Sequence, residues 1–421
     1  MPVSLAYLPT VYSYSWKWGY NRPVEKRRFG AQDAAKGIMI LGVIFFHSFM
    51  MSFVDKGDAL LTFNPLMTMF PFLLGTFFFY SGYNYTPNSR TFGQNVARRA
   101  KQLLIPLAAA FLISTVLISA MELAFHHDDV MRSLQDLGNS VLYGLMSEPL
   151  SLLVGFPKEG ALVFELYLAL CLLWFLYALF ICSVFFFLLV KFTNKSLPTL
   201  ISVVLALLIL AFCINQFIGN YLPYSINAYP VILAIMLTGA YLRQSNFLEK
   251  EITSKRDIVL HGINMVVAEG LVVGTCLFCY FQYGSTLVGA LAGGLFEPKL
   301  KGFDAFASFA FSIVGTYFIH MLCRLIIRVP VVGKCLQWLG NHSAIFYLFH
   351  PVFLELTAIV VFQKKIMWGV GQAFFYAAVV AALLVLTCLL MDLIVKNGKN
   401  RKQTVENVPA EANENNEREQ Q

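Results

Sequence analysis

A lysine and a histidine stand eleven residues apart at the start of the first long apolar stretch of the chain. Eleven residues of α-helix advance about 16 Å and turn to within roughly 20° of a whole number of turns, so Lys36 and His47 share one helix face. The spacing predicts a cation at the membrane surface and an imidazole near mid-bilayer on the same stripe. Ionisable side chains inside a membrane are costly and raise a functional hypothesis by default, so we expect a lined path into the membrane.

Two further titratable residues are predicted at a similar depth. His350 stands about nine residues, or roughly 13 Å, from the near end of its span, and Pro351 after it is expected to kink the helix. Glu269 lies midway along another apolar stretch, where a carboxylate needs a partner or a proton. One hypothesis is that Glu269 orients His47, as acidic partners orient catalytic imidazoles. The alternative for all three is an ordinary hydrogen bond between helices.

Cations gather at the predicted membrane surface on the side of Lys36. One group precedes an apolar stretch and consists of Arg98, Arg99 and Lys101. A second group recurs every fourth residue, which predicts one basic stripe on a helix, and consists of His320, Arg324 and Arg328. These residues are candidates for holding phosphate groups. The alternative is that they anchor the helix ends by reaching into the interface.

Composition predicts an all-α integral membrane protein. The chain is 58% hydrophobic and 13% charged over 421 residues, far from the balance of a soluble domain. Apolar runs long enough to span a bilayer predict a bundle of about ten transmembrane helices. The predicted spans are 36–54, 64–86, 103–124, 161–190, 197–218, 226–242, 258–281, 304–323, 341–362 and 369–395.

The distribution of lysine and arginine predicts the orientation of the bundle. Of the 31 such residues, 23 fall in the segments on the side of the N-terminus, which places both termini in the cytoplasm. The net charge of +7 is therefore a topology signal and indicates no nucleic-acid partner. We expect an interfacial segment at 1–35, a transmembrane domain at 36–395 and a disordered cytoplasmic tail at 396–421.

Five short segments follow the lysine and histidine pair in a recognisable order. They are FFFYSGY at 77–83, RRAKQLLIP at 98–106, WFL at 174–176, LGNHS at 339–343 and YLFHP at 347–351. Together they resemble the acyltransferase-3 family of multi-spanning membrane O-acyltransferases, which modify cell-surface polysaccharides in bacteria. The chain departs from the family pattern where Lys36 replaces an arginine and Gln102 replaces a basic residue. Lysine keeps the charge but loses the bidentate fork of arginine.

The resemblance implies an enzyme of the cytoplasmic membrane that moves an acyl group, expected to be acetyl, from acyl-CoA to a sugar hydroxyl. The acceptor would be a surface polysaccharide or its lipid-linked precursor, with no metal and no permanently bound cofactor. His47 would exchange the proton or carry the acyl group, with His350 in support. Acyl-CoA phosphates would meet the surface cations Lys36, Arg98, Arg99, Lys101, Arg324 and Arg328.

Three residues of the shared segments are interpreted as packing positions. Ser81 and Gly82 predict a close approach between helices, and Trp174 is expected to pack in the bundle. Two other classes of protein remain open at this point. A transporter or flippase would also need charges inside the membrane and a proline-containing helix. A relative that binds without catalysing is the third reading, because of the two departures from the family pattern.

Overall fold

The computed structural model of the chain describes residues 30–53, 73–87, 90–125, 174–218, 223–249, 256, 259–267, 270, 274, 304–362 and 370–406. Within these ranges the regular structure is helical, and no strand occurs. The helices are α1 Gly30–Phe53, α2 Leu73–Tyr83, α3 Phe92–Phe125, α4 Trp174–Thr193, α5 Leu197–Cys213, α6 Tyr229–Gln244, α7 Asp304–Ile326, α8 Pro330–Asn341, α9 Ser343–Phe362 and α10 Val370–Glu406. A π-turn, Ile214–Ile218, extends α5, a 3₁₀ turn, Pro223–Ala228, leads into α6, and residues 259–267 are helical.

Six helices in the described part of the chain are long and apolar enough to cross a membrane. These segments are Phe92–Leu117, Phe175–Thr193, Leu197–Phe217, Ile226–Gln244, Ala305–Ile326 and Phe374–Leu393. Ser343–Leu354 is a shorter apolar helix. The all-helical membrane architecture is therefore as the sequence predicts, whereas the total of about ten spans stays a prediction, because several predicted spans extend into residues outside the described ranges.

Local sequence accounts for where α5 begins. Ser196 is the N-cap residue, and its hydroxyl accepts a hydrogen bond from the Thr199 backbone N–H at 3.3 Å. Pro198 lies in the first turn, where its missing N–H costs nothing. The helix and its π-turn end together at Ile218, which matches the predicted span 197–218.

The first helix lies in the middle of one half of the bundle. It packs against α2, α7, α8, α9 and α10. The backbones of α1 and α8 touch at two glycines. A Cβ added to Gly340 would collide with the Asp33 carbonyl oxygen, and a Cβ added to Gly37 would collide with the Leu336 carbonyl oxygen. The sequence prediction did not include α8 and placed nearly all of its residues between the predicted spans 304–323 and 341–362.

The sixth helix organises the other half and packs against α2, α4, α5 and α7. Its contact with α2 depends on a pair of glycines. A Cβ on Gly82 would collide with the Met236 carbonyl oxygen, and one on Gly239 would collide with that of Phe79. Glycine lets the two backbones touch at both points, as small residues do between membrane helices.

The last helix is longer than expected. Its apolar part matches the predicted span 369–395, but the helix continues to Glu406. Residues 396–406 are therefore helical, and the predicted disordered tail stays a prediction for residues 407–421, which lie outside the described ranges. Lysine, arginine and glutamine are good helix formers, so a polar composition here does not end the helix.

Candidate active site

A pair of imidazole rings lies inside the bundle, between α1 and α9. His47 Nδ1 is 2.9 Å from His350 Nε2, and the rings are nearly parallel, with centroids 5.1 Å apart. His350 is completely buried, and His47 is partly buried. The two residues that the sequence predicted at a similar depth are thus in direct contact. Two titratable nitrogens in hydrogen-bond contact can hold and pass a proton.

The second nitrogen of His350 faces the backbone of its own helix. His350 Nδ1 is 2.8 Å from the Tyr347 carbonyl oxygen. The Tyr347 hydroxyl in turn hydrogen-bonds the Phe175 backbone in the first turn of α4, where the N–H groups have no partner within the helix. The imidazole pair is thus connected to the start of α4 through a single tyrosine.

Lys36 does not reach the imidazole pair. Its ammonium group forms an ion pair with Asp33 at 3.2 Å, one turn back on α1. On the face that Lys36 shares with His47, the intervening Ile40 and Val43 are buried in the apolar core. A polar path along this face of α1, which the spacing predicted, is therefore not what the structure has.

A partly buried guanidinium lies between α2, α3 and α4. Arg99 donates from Nε to the Ser183 hydroxyl at 3.2 Å and from a terminal nitrogen to the Ser81 hydroxyl. Both partners are neutral, and among the described residues Arg99 has no carboxylate partner. The neighbouring Arg98 and Lys101 are exposed. The three cations that the sequence grouped together thus divide into one inward and two outward side chains.

Aromatic contacts run from the imidazole pair towards α2. Tyr347 packs on His350 with centroids 5.6 Å apart, and Phe175 packs on Tyr347 at 5.1 Å. Phe78 follows at 4.6 Å from Phe175. Phe78 belongs to the 77–83 segment, and Ser81 one turn later is the partner of Arg99. The aromatic contacts therefore lead from the imidazoles to α2, the helix that carries the Ser81 partner of Arg99.

A second set of hydrogen bonds, from side chains of α2 and α7, holds the turn that follows α6. The Leu248 N–H donates to the Tyr83 hydroxyl at 3.3 Å, and the Leu248 carbonyl accepts from Arg324 at 3.4 Å. His320 also hydrogen-bonds the Leu248 backbone, and its Nδ1 lies 2.9 Å from the Tyr80 hydroxyl. We call these side chains, Tyr83, His320 and Arg324, the Leu248 clamp.

An ion pair completes the Leu248 clamp. Glu249 pairs with Arg243, accepts a hydrogen bond from the Tyr83 hydroxyl at 3.3 Å, and lies in the turn that contains Asn246 with φ 50°. The Arg243 guanidinium also lies over the Tyr83 ring at 5.3 Å. The sequence prediction named Tyr80 and Tyr83 only as members of the 77–83 segment and did not include Glu249, because single polar residues carry no spacing signal.

The prediction that His320, Arg324 and Arg328 form one basic stripe on a helix is wrong. The helix α7 ends at Ile326, so Arg328 lies in the following turn and is exposed. His320 is buried against Tyr80, and Arg324 is directed at the Leu248 carbonyl. Only Arg328 of the three presents its charge as a surface group.

Two predicted residues cannot be placed in the site. Glu269 lies outside the described residues, and the structure describes Trp174 only as the first residue of α4. The predicted contact between Glu269 and His47 therefore stays a prediction, and on the Nδ1 side of the His47 ring the structure places His350. Gly82 has no room for a side chain, and Ser81 combines close packing with a hydrogen bond to Arg99.

Comparison with known families places the chain in one of them. The family model of the acyltransferase domain, acyltransferase-3, matches residues 30–394, which is most of the chain. The protein therefore belongs to the acyltransferase-3 family. Together with the apolar helices, this membership indicates a multi-pass membrane acyltransferase. No curated protein and no solved structure gives a significant match to the chain.

Proposed function

We propose that the protein is a membrane-embedded O-acyltransferase. It takes an acyl group, expected to be acetyl, from cytoplasmic acyl-CoA and passes it to a hydroxyl of a cell-surface polysaccharide sugar or of a lipid-linked precursor. The observation that supports this most directly is the contact between His47 and His350 inside a bundle of this family. An imidazole enclosed by helices is suited to taking a proton from a weakly acidic hydroxyl.

In the direct mechanism, His47 acts first as a base and then as an acid. Its free nitrogen takes the proton of the acceptor hydroxyl while the hydroxyl oxygen attacks the thioester carbonyl carbon. The carbon–sulfur bond then breaks, and the departing thiolate takes the proton back from the imidazolium. The products are an O-acyl ester and CoA as a thiol, so no further reactant is needed.

A covalent mechanism uses the same residue in two steps. The free nitrogen of His47 attacks the thioester carbonyl carbon and the carbon–sulfur bond breaks. The acylated ring gives its remaining N–H proton to the departing thiolate, so CoA leaves as a thiol and a neutral acyl-imidazole remains. The acceptor hydroxyl then attacks this acyl group, its proton goes to the imidazole, and the O-acyl ester is released. The two mechanisms separate experimentally when labelled acyl-CoA is added without acceptor, because only the covalent mechanism leaves one labelled acyl group on His47.

Donor binding is assigned to the cations at the end of the bundle where α1 begins. Arg99 is the strongest candidate, because it is partly buried and points inward, and its described partners are two hydroxyl groups. A guanidinium with no carboxylate among its described partners favours an anionic ligand, and arginine matches phosphate with paired hydrogen bonds. The more exposed Arg98, Lys101 and Arg328 would draw the phosphates towards this end by charge alone.

The pantetheine arm is expected to follow the aromatic side chains rather than the Lys36 stripe. Ile40 and Val43 are packed between Lys36 and His47. On the other side, Phe78, Phe175 and Tyr347 pack in sequence between α2 and the imidazole pair and are themselves buried, so a donor arm on this side would have to displace aromatic rings. A donor bound in this way would have its phosphates near Arg99 and its thioester near His47.

Thioester turnover by the purified protein tests the proposal. The full chain in lipid nanodiscs is given acetyl-CoA and an oligosaccharide acceptor, and released thiol and acylated sugar are measured. We expect turnover by the native protein and a loss of at least about 100-fold in His47→Gln, since general acid–base catalysis contributes typically 10²–10⁴-fold. His261→Gln is the matched control, because His261 bonds to Tyr317 at 2.8 Å, away from the pair.

Other outcomes identify the competing readings. A transporter or flippase should bind its solute but leave the thioester intact, with the same result for the native protein and His47→Gln. Equal turnover by both proteins would remove His47 from the mechanism. Mass spectrometry of surface glycans from cells with and without the protein then identifies the sugar that is acylated.

A further inference from the structure

We infer that His350 is a positioning residue that fixes which nitrogen of His47 reacts, and that Pro351 makes this possible by leaving the Tyr347 carbonyl without its helical donor. The inference rests on the proposed function only for its catalytic consequence. The hydrogen-bond arrangement itself follows from the contacts of α9 and can be tested without any measurement of activity.

Pro351 interrupts the regular backbone hydrogen bonding of α9. In an α-helix the carbonyl of residue i accepts the N–H of residue i+4, so the Tyr347 carbonyl should accept from residue 351. Residue 351 is proline and has no N–H. An unpaired carbonyl buried away from water costs free energy, so it is expected to find another donor. His350 Nδ1 lies 2.8 Å from the Tyr347 oxygen and is that donor.

The position of the proton on His350 follows. A carbonyl oxygen only accepts hydrogen bonds, so the proton of neutral His350 must be on Nδ1. The opposite tautomer would place the lone pair of Nδ1 against the lone pairs of the Tyr347 oxygen at 2.8 Å. With its single proton on Nδ1, His350 presents a lone pair at Nε2 and can only accept there.

The proton of His47 is placed by its contact with His350. Its Nδ1 lies 2.9 Å from the lone pair of His350 Nε2, so His47 must donate from Nδ1. A neutral imidazole has one proton, and His47 Nε2 is therefore the nitrogen with a free lone pair. This nitrogen is the base of the direct mechanism or the nucleophile of the covalent one.

His350 therefore takes the place that an acidic residue takes in a Ser-His-Asp triad. There the acid bonds to one nitrogen of the catalytic histidine, holds its tautomer and steadies the imidazolium that forms. Among the described residues no carboxylate contacts His47. A neutral imidazole backed by a carbonyl dipole does the same without introducing a formal negative charge into the bundle, where a charge is costly.

The tautomer can be observed directly. Full-length protein labelled with ¹⁵N-histidine is reconstituted in lipid bilayers, and its side-chain nitrogens are recorded by solid-state NMR at a pH where the pair is neutral. The His47 signals are assigned by their absence in His47→Gln. We expect His47 to carry its proton on Nδ1. A proton on Nε2 would overturn the inference while leaving the proposed acyl transfer untouched.

A matched pair of substitutions tests the catalytic consequence. The amide of glutamine at 350 overlaps the position of Nε2 and can accept from His47, whereas the shorter amide of asparagine reaches only the Tyr347 carbonyl. We expect His350→Asn to lower kcat about 10- to 100-fold with KM for acyl-CoA unchanged, the range typical for loss of a residue that orients a reactive group. His350→Gln should recover most of that loss.

Two results separate this inference from the proposed function. Equal kcat for the native protein, His350→Asn and His350→Gln, with His47→Gln inactive, would overturn the positioning role and leave the acyltransferase proposal standing. Activity in His47→Gln would remove the proposed mechanism, whatever the NMR result. If the asparagine variant does not fold, as judged by thermal unfolding, the tautomer measurement on the native protein still decides.

Discussion

Arg99 and Ser183 are joined by a partly buried hydrogen bond of 3.2 Å from the guanidinium Nε to the serine hydroxyl, between α3 and α4. The serine hydroxyl itself donates to the Leu179 carbonyl at 2.6 Å, so its orientation is fixed by its own helix. Arg99 is therefore held in place by neutral groups that do not cancel its charge. A guanidinium held in a fixed orientation by neutral partners is suited to bind an anionic group of a substrate.

The first prediction compares two neighbouring arginines. Arg99→Ala should raise KM for acyl-CoA roughly tenfold or more, because hydrogen bonds to a charged group contribute about 1.5–3 kcal/mol. Arg98→Ala removes the same charge from an exposed position and should change KM less than about twofold. Steady-state kinetics over a range of acyl-CoA concentrations checks both. Equal effects would mean that the pair acts only through surface charge.

The second prediction concerns the ion pair at the start of α1. Lys36 bonds to Asp33 at 3.2 Å, so the aspartate competes with any phosphate for the ammonium group. If Lys36 binds donor phosphates, Asp33→Asn should lower KM for acyl-CoA by about twofold to fivefold, while Lys36→Met raises it. The size follows from the usual 0.2–1 kcal/mol of such pairs. Changes in the same direction would show that the pair only stabilises α1.

The third prediction separates activity from stability at Pro351. Alanine restores an N–H that competes with His350 for the Tyr347 carbonyl, so we expect kcat to fall about tenfold. Stability should be unchanged or higher, since proline is about 3 kcal/mol less favourable than alanine inside a helix. Thermal unfolding and turnover of Pro351→Ala test this. Lower stability with native kcat would contradict the role given to the proline.

The fourth prediction concerns the glycine contacts between α2 and α6. Gly82→Ala or Gly239→Ala drives a methyl group into a backbone carbonyl, and overpacking of this kind costs about 1–3 kcal/mol. Gly93→Ala is the control, because an added methyl there meets nothing within 4 Å, and it should be neutral or slightly stabilising. Thermal unfolding in detergent measures all three. Native-like stability of the two packed variants would mean that the helices can separate freely.

Much of the fold was predictable because each apolar span is a local property of the sequence. The run at 197–218 is an example. Ser196 before it and Pro198 in its first turn mark where the helix starts, and the length of the apolar run predicts where it ends. The helix α8 was missed for the same reason. Its residues are mixed in polarity, and glycines 333 and 340 are poor helix formers whose value here lies in packing against other segments.

The site was predictable by residue type and depth but not by partner. Spacing and composition point to His47 and His350, yet nothing local shows that their rings touch across 303 positions of sequence. Arg99 and Arg98 look alike in the sequence, and only the packing of α3 on α2 and α4 turns one inward. Lys36 is the opposite case. The sequence predicts correctly that it shares a helix face with His47, but it does not show that Ile40 and Val43 pack in the core between them.

The Leu248 clamp has a consequence for how the molecule can move. Both polar groups of one backbone unit are satisfied by side chains from α2 and α7, at the end of α6. Separating any of these three helices at that end would strand hydrogen-bonding groups in an apolar setting. They should travel as one rigid piece through a catalytic cycle, and spin labels attached to them should keep constant separations when the donor arrives.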